Sequence, residues 1–146
     1  MIHRSLIILI LLLGCRHTAE KQKNTDIAID KDAIACMQMV FEKDSILGEI
    51  RNHSPEKISL SESIDNYTHE LESMDFTHCP EKFRSSFNAH IKAWQQLRSV
   101  TDKYPSMRGE LHDIFARLEK SGDSTEFKAL VQKVWNTWDM VKENSN

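Results

Sequence analysis

Apolar residues recur every three or four positions along most of the chain after residue 30. This is the spacing that places side chains on one face of an α-helix. Five segments show the pattern, and each predicts an amphipathic helix. The five apolar stripes are Ala33, Cys36, Met37, Val40 and Leu47; Leu60, Ile64, Tyr67, Leu71 and Met74; Phe83, Phe87, His90, Trp94 and Leu97; Met107, Leu111, Ile114, Phe115 and Leu118; and Phe127, Val131, Val134, Trp138 and Val141.

Prolines mark where several of these helices begin and end. Pro55 predicts the end of the first helix, near residue 52, because the residue before a proline disfavours the helical region. Pro80 suits the first turn of the third helix, where its missing N–H costs nothing. Pro105 separates the third helix from a shorter fourth one. The predicted boundaries therefore follow from backbone chemistry as well as from the apolar stripes.

Capping residues and glycine refine the other boundaries. Ser59 or Ser61 can cap the second helix. Asp123 and Glu126 have the spacing of a capping box, which predicts that the last helix starts there. Gly109 falls inside the predicted fourth helix and weakens that prediction by about 1 kcal/mol of helix propensity.

Five helices with one apolar face each must bury those faces against one another. Short connections make consecutive helices antiparallel neighbours. With only 4 glycines and 3 prolines, the chain lacks the turn residues of a β-sandwich or barrel. The sequence therefore predicts an all-α fold over residues 30–146, an up-and-down bundle of four main helices plus one short helix.

The start of the chain has a different pattern. A basic segment with Arg4 precedes the unbroken apolar run from Leu6 to Leu13, which ends at Gly14 and Cys15. A short basic start followed by an apolar core is typical of a secretory signal. The run is too short to cross a bilayer, which takes about 20 apolar residues. An ordinary signal peptide or a buried apolar helix would also account for the run.

Leu12-Leu13-Gly14-Cys15 resembles the lipobox of bacterial lipoproteins. The resemblance implies that residues 1–14 are a signal peptide and that Cys15 is acylated and becomes the mature N-terminus. Two or more acyl chains anchor a protein stably in a membrane. Residues 15–29 would then be the lipidated cysteine and a flexible tether. Arg16, which is not an aspartate, points to the outer membrane under one bacterial sorting rule.

Cys36 and Cys79 remain as a pair in what the lipobox implies is an oxidising compartment. In an up-and-down bundle the start of the first helix lies beside the end of the second, so the two cysteines fall at the same end. This topology predicts a Cys36–Cys79 disulfide. Two free thiols are the alternative. A further hypothesis is a nucleophilic Cys79, since it precedes a helix start beside His78.

His90 lies on an apolar face, one turn from both Phe87 and Trp94. A buried histidine in a helical bundle can bind haem or a metal, and it can equally be a core residue bonded to a neighbouring helix. We expect His90 to be a core residue. A role as a haem or metal ligand is the alternative. Trp135, at the edge of its stripe, is expected to be partly exposed.

No catalytic motif accompanies these residues. Walker, GxSxG and HExxH patterns do not occur in the sequence. The 19 basic and 22 acidic residues leave no basic excess for nucleic acid. The segment CPEKFRSSFNAHIKAWQQL resembles a pattern of small exported bacterial helical proteins, which supports the bundle alone. We expect a lipid-anchored, non-enzymatic protein of the bacterial envelope that contacts the membrane through its lipid and binds another envelope protein, without cofactor or metal.

Overall fold

The structure is a computed structural model that describes residues 23–145, with side chains from residue 31 onwards. The predicted signal peptide, the lipidation site Cys15 and the first part of the predicted tether lie outside the described residues. Residues 23–145 contain helices and no β-strand.

Six helices and one turn of 3₁₀ helix make up the described chain. Their order along the chain is α1 (Lys23–His53), a 3₁₀ turn (Ser54–Glu56), α2 (Leu60–Glu72), α3 (Glu81–Gln96), α4 (Arg98–Thr101), α5 (Leu111–Leu118) and α6 (Ser124–Glu143).

The four long helices pack as a bundle, which confirms the predicted all-α fold. α3 packs most extensively against α6, and α2 packs between α1 and α3. The short helix α5 lies against α1. α4 was not predicted from the sequence, because four residues are too few to show helical periodicity. None of the helices within residues 23–145 combines the length and the hydropathy needed to span a membrane.

Two helix boundaries lie where Pro55 and Ser59 predict them, and a third boundary, the start of α1, does not lie where predicted. Pro55 sits in the 3₁₀ turn that ends α1. Ser59 caps α2, and its hydroxyl accepts a hydrogen bond from the backbone N–H of Glu62 at 3.1 Å. α1 begins at Lys23, earlier than the predicted start near residue 30, so its first turns overlap the segment assigned to the tether.

Two predictions about the last helices are wrong. Gly109 does not lie inside α5 but just before it, at φ 145°, a conformation that favours glycine. Its N–H donates to the carbonyl of Pro55, and Glu110 caps the helix instead. Asp123 is the N-cap residue of α6, so the predicted start of the helix is confirmed. The hydrogen bonds of the capping box are absent, because the carboxylates of Asp123 and Glu126 accept from Lys103 rather than from the helix backbone.

The core is aromatic and lies around α3. Phe83 and Phe87 on α3 and Phe127 on α6 are fully buried. The ring of Phe41 on α1 contacts Phe83 edge-on at 5.4 Å, and it contacts Trp138 at 5.9 Å. These contacts join α1, α3 and α6.

Removing the α2 cap should destabilise the bundle. We expect Ser59→Ala to lower the free energy of unfolding by about 1 kcal/mol, because the Glu62 N–H loses its partner. The control is Ser85→Ala, at an exposed position inside α3. Alanine has the higher helix propensity there, so stability should be unchanged or slightly raised. Urea denaturation of both variants tests this, and equal effects would contradict the capping role.

Candidate functional site

A disulfide joins Cys36 on α1 to Cys79 in the α2–α3 connection, with the Cα atoms 5.2 Å apart. The predicted pairing is therefore confirmed. Both residues are buried, with 7% and 6% of their surfaces exposed. Because both sulfurs are used in the bond, Cys79 has no thiolate to act as the nucleophile that its position before a helix suggested.

A surface cleft of about 370 Å³ lies beside the disulfide. Its walls come from α1 and from the α2–α3 connection, and they include Asp32, Met39, Asp75 and His78. The backbone N–H of Thr77 donates to Asp75 at 2.9 Å. Hydrogen bonds from Thr77 lower the pKa of this carboxyl, so Asp75 is ionised at neutral pH.

His90 lies in the core, with 4% of its surface exposed, between α3 and α6. The indole N–H of Trp94 donates to Nε2 of His90 at 3.1 Å. The Nδ1 proton therefore faces Oγ1 of Thr137, also at 3.1 Å. Thr137 in turn donates to the carbonyl of Val134. The neutral ring is thus the middle member of a hydrogen-bond chain from α3 to α6.

Burial lowers the pKa of His90 to about 4, since a charged ring would lose its hydration. The hydrogen bond to the Val134 carbonyl raises the pKa of His90 and so partly offsets this shift, whereas the positive charge of Arg51 lowers the pKa further. His90 is therefore neutral at physiological pH.

This geometry favours the core role of His90 over the ligand role. A metal or haem iron would need the Nε2 lone pair, which already accepts the Trp94 proton. Binding would have to break that hydrogen bond and open the aromatic core. Among residues 31–145, no three His, Cys, Asp or Glu side chains are grouped as a metal site.

A second polar network, partly buried, joins α1 to α2 and α3, and the apolar pattern of the sequence did not predict it. The guanidinium of Arg51, at the end of α1, lies 3.9 Å from the centre of the Trp94 ring and 4.4 Å from that of Tyr67. Cations are attracted to aromatic faces at this distance. The Tyr67 hydroxyl donates to Asp44, so the tyrosine lies between the two opposite charges.

Burial shifts all three ionisable groups of this network. It raises the pKa of Asp44, lowers that of Arg51 and raises that of Tyr67. The attraction of Arg51 and the Tyr67 hydrogen bond partly offset the shift at Asp44. A signal was present in the sequence: Asp44 and Arg51 are seven residues apart, and therefore share one face of α1 with buried Leu47.

The surface of α1 carries exposed apolar side chains. Met39, Ile46 and Ile50 are 44%, 54% and 58% exposed. Trp135 on α6 is 53% exposed, as its position at the edge of the stripe predicted. The exposed α1 residues, rather than the buried histidine, are available to a partner. Comparison with models of known protein families, with curated proteins and with solved structures finds no match for this chain.

Loss of the disulfide should cost stability. It closes a loop of 43 residues, and the chain-entropy description gives about 4 kcal/mol for a loop of that length. We expect the free energy of unfolding of the double variant Cys36→Ala/Cys79→Ala to be lower by that amount, so the variant unfolds at a lower urea concentration. The wild type in reductant should behave similarly. A change well below 1 kcal/mol in both would contradict a stabilising crosslink.

Acid should destabilise the protein through His90. The unfolded ring takes up a proton near pH 6.5 and the folded ring near pH 4, so stability is fully present above pH 6.5 and falls as the pH drops toward 4. The total loss is about 3 kcal/mol. His90→Gln should lack this part of the pH dependence. Parallel slopes for variant and wild type between pH 4 and 6.5 would contradict the assignment.

Proposed function

We propose that this chain is a lipid-anchored protein of the bacterial cell envelope, held in the outer membrane through Cys15. Its helical bundle acts as a binding or structural module that contacts another envelope component and catalyses no reaction. The observation that carries the proposal is the combination of a lipobox-like Leu12-Leu13-Gly14-Cys15 with a disulfide in the domain that follows.

The disulfide supports export. Structural disulfides form and persist in oxidising compartments and are rare in the cytosol. The bond between Cys36 and Cys79 leaves Cys15 as the third cysteine of the chain, available for acylation. An exported protein with a cysteine directly after its apolar signal is what lipid attachment requires.

The buried polar groups support a non-enzymatic role. A general acid or base must reach the proton it transfers. His90 is 4% exposed and both of its ring nitrogens face partners within the core. Tyr67 is also buried, and its hydroxyl is bonded to Asp44. These groups hold helices together and face away from solvent.

The surface supports binding. Exposed apolar side chains gathered on one face of a protein mark sites of interaction more often than isolated ones do. α1 carries four such side chains within the described residues, and three of them, Met39, Ile46 and Ile50, lie seven and four residues apart along one side of the helix. The alternative function, haem or metal binding at His90, has no comparable support, because the Nε2 lone pair is occupied.

Metabolic labelling tests the proposal. We expect wild-type protein expressed in a bacterial host to incorporate radiolabelled palmitate and to fractionate with the outer membrane. Cys15→Ser should lose both the label and the membrane association, since the thiol is the acceptor of the diacylglycerol. The matched control is Cys36→Ser/Cys79→Ser, which removes two other thiols and should keep the label.

Two results would contradict the proposal. One is wild-type protein without label. The other is equal labelling of wild type and Cys15→Ser, which would place the acyl group on a different residue.

A further inference from the structure

The α1–α2 face, defined here as the exposed side of α1 with Met39, Ile46 and Ile50 and the adjoining surface of α2, has no partner within residues 31–145. These three are half of the six large apolar side chains that this part of the chain exposes. They are seven and four residues apart, so they form one line along the helix. The line has the spacing that a second helix would match.

The face is concave on either side of Ile46. The cleft beside the disulfide, about 370 Å³, is lined by Met39. A second groove between α1 and α2, about 320 Å³, is lined by Ile50 together with Asn66 and Glu70. A ridge with two hollows can accept side chains spaced along a helix, as in helix-in-groove recognition.

Acidic side chains edge the apolar line. Glu42 and Glu49 each follow an apolar residue of the line by three positions and are exposed. Asp32 and Asp75 line the cleft at the disulfide end. The charge of Lys43 is offset by Glu70, whose carboxylate lies 3.6 Å away. Arg51 also lines the second groove, and it lies on the ring of Tyr67, whose hydroxyl donates to Asp44. Glu49 lies 3.4 Å from the His53 ring, which leaves Glu42, Asp32 and Asp75 as the acidic groups of the rim that form no ion pair within residues 31–145. The rim therefore carries an excess of negative charge around an apolar centre.

We propose that the α1–α2 face binds an amphipathic helix of another protein, with apolar residues at helical spacing and lysine or arginine along its edges. Apolar contact supplies affinity, and charge complementarity selects the partner. A second copy of this chain would bring the same acidic rim rather than its complement, and an anionic lipid surface would be repelled by it. The inference rests on the proposed function, because it names the partner class of the same binding module.

A pair of synthetic peptides tests the proposal. Both have leucines spaced to match Met39, Ile46 and Ile50; lysines flank the leucines in one and glutamates in the other. Binding of the fluorescent peptides to full-length protein in uncharged detergent micelles is followed by anisotropy. We expect the lysine peptide to bind at least about tenfold more tightly than the glutamate peptide.

Variants of the protein locate the peptide-binding site. All variants are measured in the same micelles, so a difference in peptide affinity between them comes from the substituted side chains. Ile46→Ser/Ile50→Ser should weaken the lysine peptide by about tenfold. Trp135→Ser, which removes an equally exposed apolar side chain on α6, should change binding less than about twofold. Circular dichroism confirms that each variant keeps its helices, as expected for exposed positions.

A charge reversal tests the rim. Glu42→Lys should weaken the lysine peptide by about fivefold and strengthen the glutamate peptide. Glu119→Lys, at an exposed position at the end of α5, alters the net charge equally. It should change the affinity for either peptide by less than about twofold.

Four results would overturn the proposal. They are equal affinity for both peptides, equal weakening by the Ile46→Ser/Ile50→Ser and Trp135→Ser variants, dimerisation that depends on Ile46, and vesicle binding that depends on Ile46. The last two would assign the face to a second copy or to lipid. None of them changes palmitate labelling of Cys15, so failure of the partner inference can be told from failure of the proposed function.

Discussion

The packing of α3 against α6 is the contact on which the rest of the structure depends. α3 contributes fully buried Phe83 and Phe87, and α6 contributes fully buried Phe127 and Val134. Within this apolar interface, Trp94, His90 and Thr137 satisfy one another through a chain of hydrogen bonds. A buried polar group without a partner is costly, so this chain requires one register between the two helices. The other helices are arranged around the pair.

The indole ring of Trp94, which donates to His90, also contacts side chains of α1 and α2. Arg51 of α1 covers the face of Trp94, and Tyr67 of α2 meets the ring edge-on at 5.6 Å. Trp94 is therefore shared by two polar networks, one toward α6 and one toward Asp44. The disulfide holds α1 at the end of the bundle where α2 and α3 connect. With His90 and Tyr67 both hydrogen-bonded in the core, recognition falls to the surface of the bundle.

Apolar periodicity was enough to predict the four long helices and their arrangement. The arrangement in turn placed Cys36 and Cys79 at one end and so predicted the disulfide. Periodicity also put His90 on a buried face, but it could not name Thr137 as the partner, because that contact depends on the register of α6 against α3. Asp123 and Glu126 marked the start of α6 correctly, but their capping-box hydrogen bonds do not form, since Lys103 competes for both carboxylates across the fold. Arg51 was missed for a related reason: a charged residue at a helix end is usually solvated, and only the tertiary structure reveals the aromatic rings beneath it.

A neutral His90, protonated on Nδ1 and accepting from Trp94 on Nε2, joins α3 to α6 in the core. Long-range ¹H–¹⁵N correlation spectra of the imidazole ring measure both the tautomer and its protonation directly. We predict the neutral Nδ1–H tautomer at pH 7, unchanged at pH 5.5. A ring that is protonated at pH 5.5, or a neutral ring carrying its proton on Nε2, would contradict this assignment.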